Sequence, residues 1–192
     1  MKAYGTLLAD DPAWRDRAAR FAAGVRDLAE FLTAEPLRGP LGPVNRTMTY
    51  HDPCHIVHGQ KISKQPRSLL AQIPGLKLVP LKEADWCCGS AGTYNLTQPE
   101  MAQQLQQRKV AHIRETGADA VVTANPGCII QIVQGLEAAG AHVQVLHLAE
   151  VLDEAYRNAP TSSRREPPHP GPLPTVEREQ AEPSPPEGER AG

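Results

Sequence analysis

The stretch AVVTANPGCIIQIVQGLEAAG, residues 120–140, decides the fold. Ala120 to Ala124 is a short, uncharged, β-branched run of the kind that forms a strand covered on both faces. Asn125-Pro126-Gly127-Cys128 turns the chain. Ile129, Ile132, Val133 and Leu136 then recur at helical spacing until Gly140 stops them. Strand, turn and helix within 21 residues are half of a βαβ unit, with a cysteine at the join.

Working outward, the same grammar repeats. Upstream, Thr47-Met48-Thr49-Tyr50 reads as a strand running into His51-Asp52-Pro53-Cys54-His55, with a short helix at Pro66–Ile73. Leu76–Leu81 reads as a second strand running into Asp85-Trp86-Cys87-Cys88-Gly89-Ser90-Ala91-Gly92. Thr97, Pro99 and Glu100 signal a helix start. Its stripe is Met101, Leu105, Val110 or Ala111, and Ile113, and Gly117 ends it. Downstream, Val143–Leu146 is the last strand and Leu148–Tyr156 the last helix. The expected fold is α/β, a parallel sheet with helices on both faces. Such sheets place their sites beyond the carboxyl ends of the strands, which is where Cys54, Cys87, Cys88 and Cys128 all fall.

The ends of the chain read differently. Trp14, Ala18, Phe21, Val25, Leu28 and Leu32 form one apolar stripe, predicting a single N-terminal helix capped near Asp11-Pro12; with its linker it occupies 1–46. The cysteine-rich domain is set at 47–159. From Pro160 to Gly192 the chain holds nine of the 19 prolines, with six Glu and four Arg. Its only large aliphatic residues are Leu173 and Val176, so 160–192 is expected to be a disordered tail. Removing it leaves 16 basic against 16 acidic residues, a balance that argues against nucleic-acid binding. No apolar run suggests direct membrane insertion, and no h-region marks an export signal. A cytoplasmic protein with reduced thiols is the expectation.

Four thiols converging on one sheet edge suit an iron–sulfur cluster or a zinc ion, both of which accept four soft thiolates. No Cys-x-x-Cys is present, which removes zinc ribbons, ferredoxin runs and thioredoxin-type pairs. The adjacent Cys87-Cys88 need a turn to face one centre, and Gly89 to Gly92 can supply it. His51, His55 and His58 could join Cys54 around zinc; His55 is the candidate to hydrogen-bond a cluster sulfur. Asn125 is placed to cap the following helix. Lys61, Lys64, Arg67 and Lys109 read as solvated charges. No dinucleotide or Walker motif is present, so flavin and nucleotides are not expected here.

YHDPCH at 50–55, WCCGSAG at 86–92 and NPGC at 125–128 resemble the cysteine-rich CCG domain of heterodisulfide reductases and of glycolate- and lactate-oxidising systems. HGQKISKQPRSLL at 58–70 and VLHLAEVLDEAY at 145–156 add similarity to the iron–sulfur subunit of glycolate oxidase, whose C-terminal half this chain most resembles. The resemblance implies an iron–sulfur cluster held by Cys54, Cys87, Cys88 and Cys128, with 4Fe-4S favoured. Beside it would lie His55, Gly89 and Asn125. It implies an electron-transfer subunit with no catalytic residue and no activity as an isolated chain. Its partners would be flavin-containing oxidase subunits, and it would reach the inner membrane only through them. The family pattern carries a Cys-x-x-Cys where this chain has Asn125 and Cys128. The alternatives are a zinc-binding or metal-free interaction domain, a lactate-utilisation or heterodisulfide-reductase-like subunit, and a dithiol redox role for Cys87-Cys88.

Overall fold

The computed structural model describes residues 1–35 and 37–160. The tail expected from 160 onward therefore lies, apart from Pro160 itself, outside the described residues.

Four strands, β1 (Thr47–Tyr50), β2 (Lys77–Val79), β3 (Ala120–Thr123) and β4 (Gln144–His147), form one parallel sheet in the order β2-β1-β3-β4. Register pairs Met48 with Leu78 and Ala120, and Val121 with Val145. The two-residue period of a strand then sorts the side chains into two cores. Met48, Tyr50, Ala120 and Val122 face one side, packed with Leu69 and Leu70 of α4 (Lys64–Leu70) and with Leu148, Val151 and Leu152 of α8 (Leu148–Arg157). Val121 faces the other side. There it meets Val110 and Ile113 of α6 (Pro99–Glu115), Ile132 and Leu136 of α7 (Pro126–Ala138), and Cys88 and Cys128. The parallel sheet with helices on both faces is as the sequence pattern predicts.

From β1 the chain goes to β2 on one side, then crosses to β3 on the other side. The strand order reverses between β1 and β3. The carboxyl ends beside such a reversal are the usual ligand position in open α/β sheets.

Three local expectations are corrected. The N-terminal stripe is not one helix. After α1 (Tyr4–Leu7), α2 (Arg15–Gly24) ends where Val25 becomes extended, and α3 (Leu28–Ala34) restarts on a capping box between Asp27 and Glu30. Only Ala18 and Ala29 of its small residues are buried, while Trp14, Phe21, Leu28 and Phe31 stay exposed. Asp11 accepts the N–H groups of Ala13 and Trp14, but it does not cap α2, which begins at Arg15 with no side-chain cap at Trp14. Second, Thr97 does not cap α6. It closes the short α5 (Tyr94–Thr97), its hydroxyl donates back to the Thr93 carbonyl at 3.3 Å, and Gln98 precedes α6 without a side-chain cap. Third, the buried face of α6 runs through Ala102, Lys109, Val110 and Ile113, while Met101 is exposed. Lys109 is therefore not a solvated charge; it is 2% exposed. Lys61 and Lys64 keep the positions read for them, both exposed.

Candidate metal centre

β1 delivers the first half of the site. Alternation that puts Tyr50 in one core puts Thr49 and His51 on the opposite face, the side of Cys88 and Cys128. The His51 N–H donates to the Val122 carbonyl at 2.9 Å, so the residue is fixed to β3 just past the strand end. Asp52 is pinned by its N–H to the Ala84 carbonyl (3.0 Å) and by two guanidinium bonds from Arg67, at 2.7 and 2.5 Å. Arg67 also lies over the Tyr50 ring, 5.1 Å from its centroid. It is thus a structural cation rather than a freely solvated one. After Pro53 the chain enters a π-helical turn, His55–Gly59, with Cys54 preceding it. Nothing in the sequence pattern announced that turn.

The Cys-Cys-Gly turn delivers the second half. Gly89 has φ +94°, a region that a side chain disfavours, and a Cβ there would come 2.2 Å from the Ala102 carbonyl oxygen. The glycine therefore lets the turn lie directly on α6. It also lets the Gly89 N–H donate to the Cys87 sulfur at 3.3 Å. β3 delivers the last thiol. Asn125 caps α7 as predicted, its Oδ1 accepting the Cys128 N–H at 3.0 Å. That places Cys128 in the first turn of α7.

The four thiols follow one another closely enough to influence each other's ionisation, Cys54 with Cys87, Cys87 with Cys88, and Cys88 with Cys128. All are free, and Cys88 and Cys128 are buried. Among the described residues, His51, Cys88 and Cys128 bring their ligand atoms within 4.8 Å of one another. His51 thus holds the inner position. The His55 side chain is exposed. His58 is exposed too, its Nε2 3.4 Å from the Asp85 carbonyl.

Electrostatics suit a metal–thiolate centre that is empty of charge until loaded. The hydrogen bond to Cys88 and burial push the Cys87 thiol far up. The bond to Cys128 and burial push Cys88 to about 11, against an opposing contribution from Cys87. Burial and Cys87 raise Cys54. Four adjacent thiols cannot all ionise without a cation among them. Burial and the Lys109 charge hold His51 down to about 3, so its ring is neutral. Nδ1 lies 3.0 Å from the Ala84 carbonyl, which only accepts, so Nδ1 carries the proton. Nε2 is then a bare lone pair, fully buried and, among the described residues, without a hydrogen-bond partner. A buried orphan acceptor beside convergent thiols is unusual in a merely structural core, and it is what a soft metal centre satisfies. The donor set fits an iron–sulfur cluster and fits zinc.

Residues 48–133 match the model of the cysteine-rich domain named CCG. The chain is 37% identical over 151 residues to lactate utilization protein A of Shouchella clausii, covering 78% of this chain and 63% of that protein. It is 38% identical over 161 residues to a probable glycolate oxidase iron-sulfur subunit of Bacillus subtilis, covering 79% and 35%. It is 41% identical over 133 residues to a subunit of the fumarate reductase (CoM/CoB) of Methanothermobacter marburgensis, covering 69% and 27%. The chain spans less than two thirds of each of these relatives. The parallel sheet with three thiol-bearing turns at its carboxyl edge thus carries, over residues 48–133, a match to the cysteine-rich CCG domain.

Proposed function

We propose that this chain carries an iron–sulfur centre on Cys54, Cys87, Cys88 and Cys128, and acts as an electron-transfer element in the oxidation of a 2-hydroxy acid, glycolate first. The observation that carries the reading is the continuous chain of four free thiols beside the unpartnered Nε2 of His51. The resemblance to proteins named for glycolate oxidase, lactate utilization and fumarate reductase supports a redox role over a structural one.

When bound, the cluster supplies one-electron storage between a two-electron donor and an acceptor. The chain's residues supply the rest. Cys54 and Cys87 sit at the half-exposed end of the thiol chain and give the route from solvent or a partner. Cys88 and Cys128 anchor the buried end against α6 and α7. Asn125 and the Gly89 turn hold those two sulfurs in place, and the bulk of the α6/α7 core keeps water from the inner face. Among the described residues no helix is long and apolar enough to cross a membrane. Residence in the cytoplasm, with membrane contact only through partners, belongs to this proposal. The partner that removes hydride from the hydroxy acid would carry the flavin.

The isolated chain should accept electrons from dithionite and should not oxidise glycolate. Glycolate turnover by the isolated chain would overturn the division of labour. A second reading, a structural zinc site, is favoured by the compact His51–Cys88–Cys128 trio. Zinc retained in place of iron under anaerobic purification would select it.

A further inference from the structure

Lys109 is a buried cation with no anion beside it. Its ammonium donates to the Glu83 carbonyl and reaches the Ala84 carbonyl at 3.5 Å. Among the described residues no carboxylate lies within ion-pair distance of it. The nearby acids are committed or remote. Glu83 is clamped by Arg108 at 2.8 and 2.5 Å and approached by His112 at 3.3 Å. Asp52 belongs to Arg67. Asp85 is exposed. Burying an ammonium without a counter-charge is costly, and a chain that retains one there has an anion to set against it.

The surroundings point to that anion. Burial lowers the Lys109 pKa, and the Cys88 sulfur, in its ionised form, is the first of the groups that oppose the fall. The same charge helps hold His51 neutral. The Ala84 carbonyl is the shared node. It takes the His51 ring at 3.0 Å, the Asp52 N–H at 3.0 Å and the Lys109 ammonium, three residues before Cys87.

Resting on the iron–sulfur reading above, we propose that Lys109 is the internal counter-cation of the thiolate centre: a positioning residue whose positive charge makes the added electron easier to accept. One-electron reduction would add one negative charge to a centre held by these thiolates. An ammonium fixed inside the low-dielectric face of α6 favours the reduced form and raises the reduction potential.

The test is a redox titration of the reconstituted chain, followed by visible absorbance and electron paramagnetic resonance. Lys109→Gln keeps a donor for the two carbonyls and removes the charge; Lys109→Arg keeps the charge. Exposed Lys77 in β2, changed to Gln, is the control. The expected result is a negative shift of the midpoint potential in Lys109→Gln, none in Lys77→Gln, and recovery toward wild type in Lys109→Arg. Should Lys109→Gln lose its fold by circular dichroism, Lys109→Met, unbranched and without a polar head, makes the same comparison. A midpoint in Lys109→Gln equal to wild type, or Lys109→Arg as displaced as Lys109→Gln, overturns the inference alone. A wild-type chain that assembles no cluster overturns the underlying reading, and the inference with it.

Discussion

Changing Gly89 to Ala isolates what the Cys-Cys-Gly turn contributes. Two costs add. A φ of +94° is disfavoured for any residue with a Cβ, by about 1–2 kcal/mol. The new methyl would also lie 2.2 Å from the Ala102 oxygen, a backbone atom of α6 that cannot rotate away, and 3.1 Å from the Gln131 Nε2. Relieving such an overlap inside a packed core costs about 1–3 kcal/mol more. The sum, about 2–5 kcal/mol, is a large share of a typical domain's stability. Gly92 is the internal control. Its φ is +66°, but a Cβ there meets nothing within 4 Å, so Gly92→Ala carries only the conformational part. Urea unfolding of the reduced, metal-free chain should place Gly89→Ala about 1–3 kcal/mol below Gly92→Ala. The Ellman reaction of Cys88, buried in the wild type, should accelerate in Gly89→Ala only. Equal stabilities for the two variants would refute the claim that the turn must lie directly on α6.

Other residues give shorter tests. Arg67→Ala leaves the Asp52 carboxylate nearly buried without its two guanidinium bonds and should cost about 2–3 kcal/mol by denaturant titration, discounted because Arg67 itself is partly exposed. Asn125→Ala removes the oxygen that accepts the Cys128 N–H and should cost about 1 kcal/mol. Asn125→Cys, which writes the family's Cys-x-x-Cys spacing into this chain, should cost the metal-free fold a similar amount; a stabilised variant would contradict the capping role. His51 has a folded pKa held down to about 3, while the unfolded chain takes a proton near 6.5. Its contribution is fully present above pH 6.5 and is lost as pH falls toward 3, at roughly 1 kcal/mol per pH unit. His51→Gln should flatten the stability profile in that window, and an unchanged slope would show that the ring is not kept neutral. Loading zinc into the metal-free chain should release protons, since the raised Cys54, Cys87 and Cys88 must ionise to bind; binding without proton release in a weakly buffered calorimeter cell would contradict their protonated state.

The sheet and the placement of the thiols were legible because both rest on local patterns. Apolar runs such as Ala120–Val122, stopped by Asn-Pro-Gly, force strand and turn, and parallel connection then brings three turns to one edge. The Asn125 cap was legible for the same reason: its partner is three residues away. What escaped depends on partners distant in sequence. Lys109 looks like any helical lysine until Glu83 and Ala84, some 25 residues earlier, are folded under it. His51 and His55 are equivalent as letters in a histidine-rich loop. Only the β1 alternation and the pairing to Val122 turn the first inward, while the π-helical turn leaves the second outside. The N-terminal stripe misled because a local capping box, Asp27 to Glu30, outweighed continuous periodicity. Thr97 misled because its hydroxyl serves the helix before it rather than the helix after.

The central claim is that four thiols gathered between β1, β3 and α6 hold a redox cluster. The most direct measurement is iron, acid-labile sulfide and zinc per chain on anaerobically purified protein, for the wild type and for Cys88→Ser. The account predicts iron and sulfide together in the wild type, a paramagnetic signal that changes on dithionite addition, and loss of both elements in Cys88→Ser. Zinc without sulfide, or a folded chain free of metal, would contradict it.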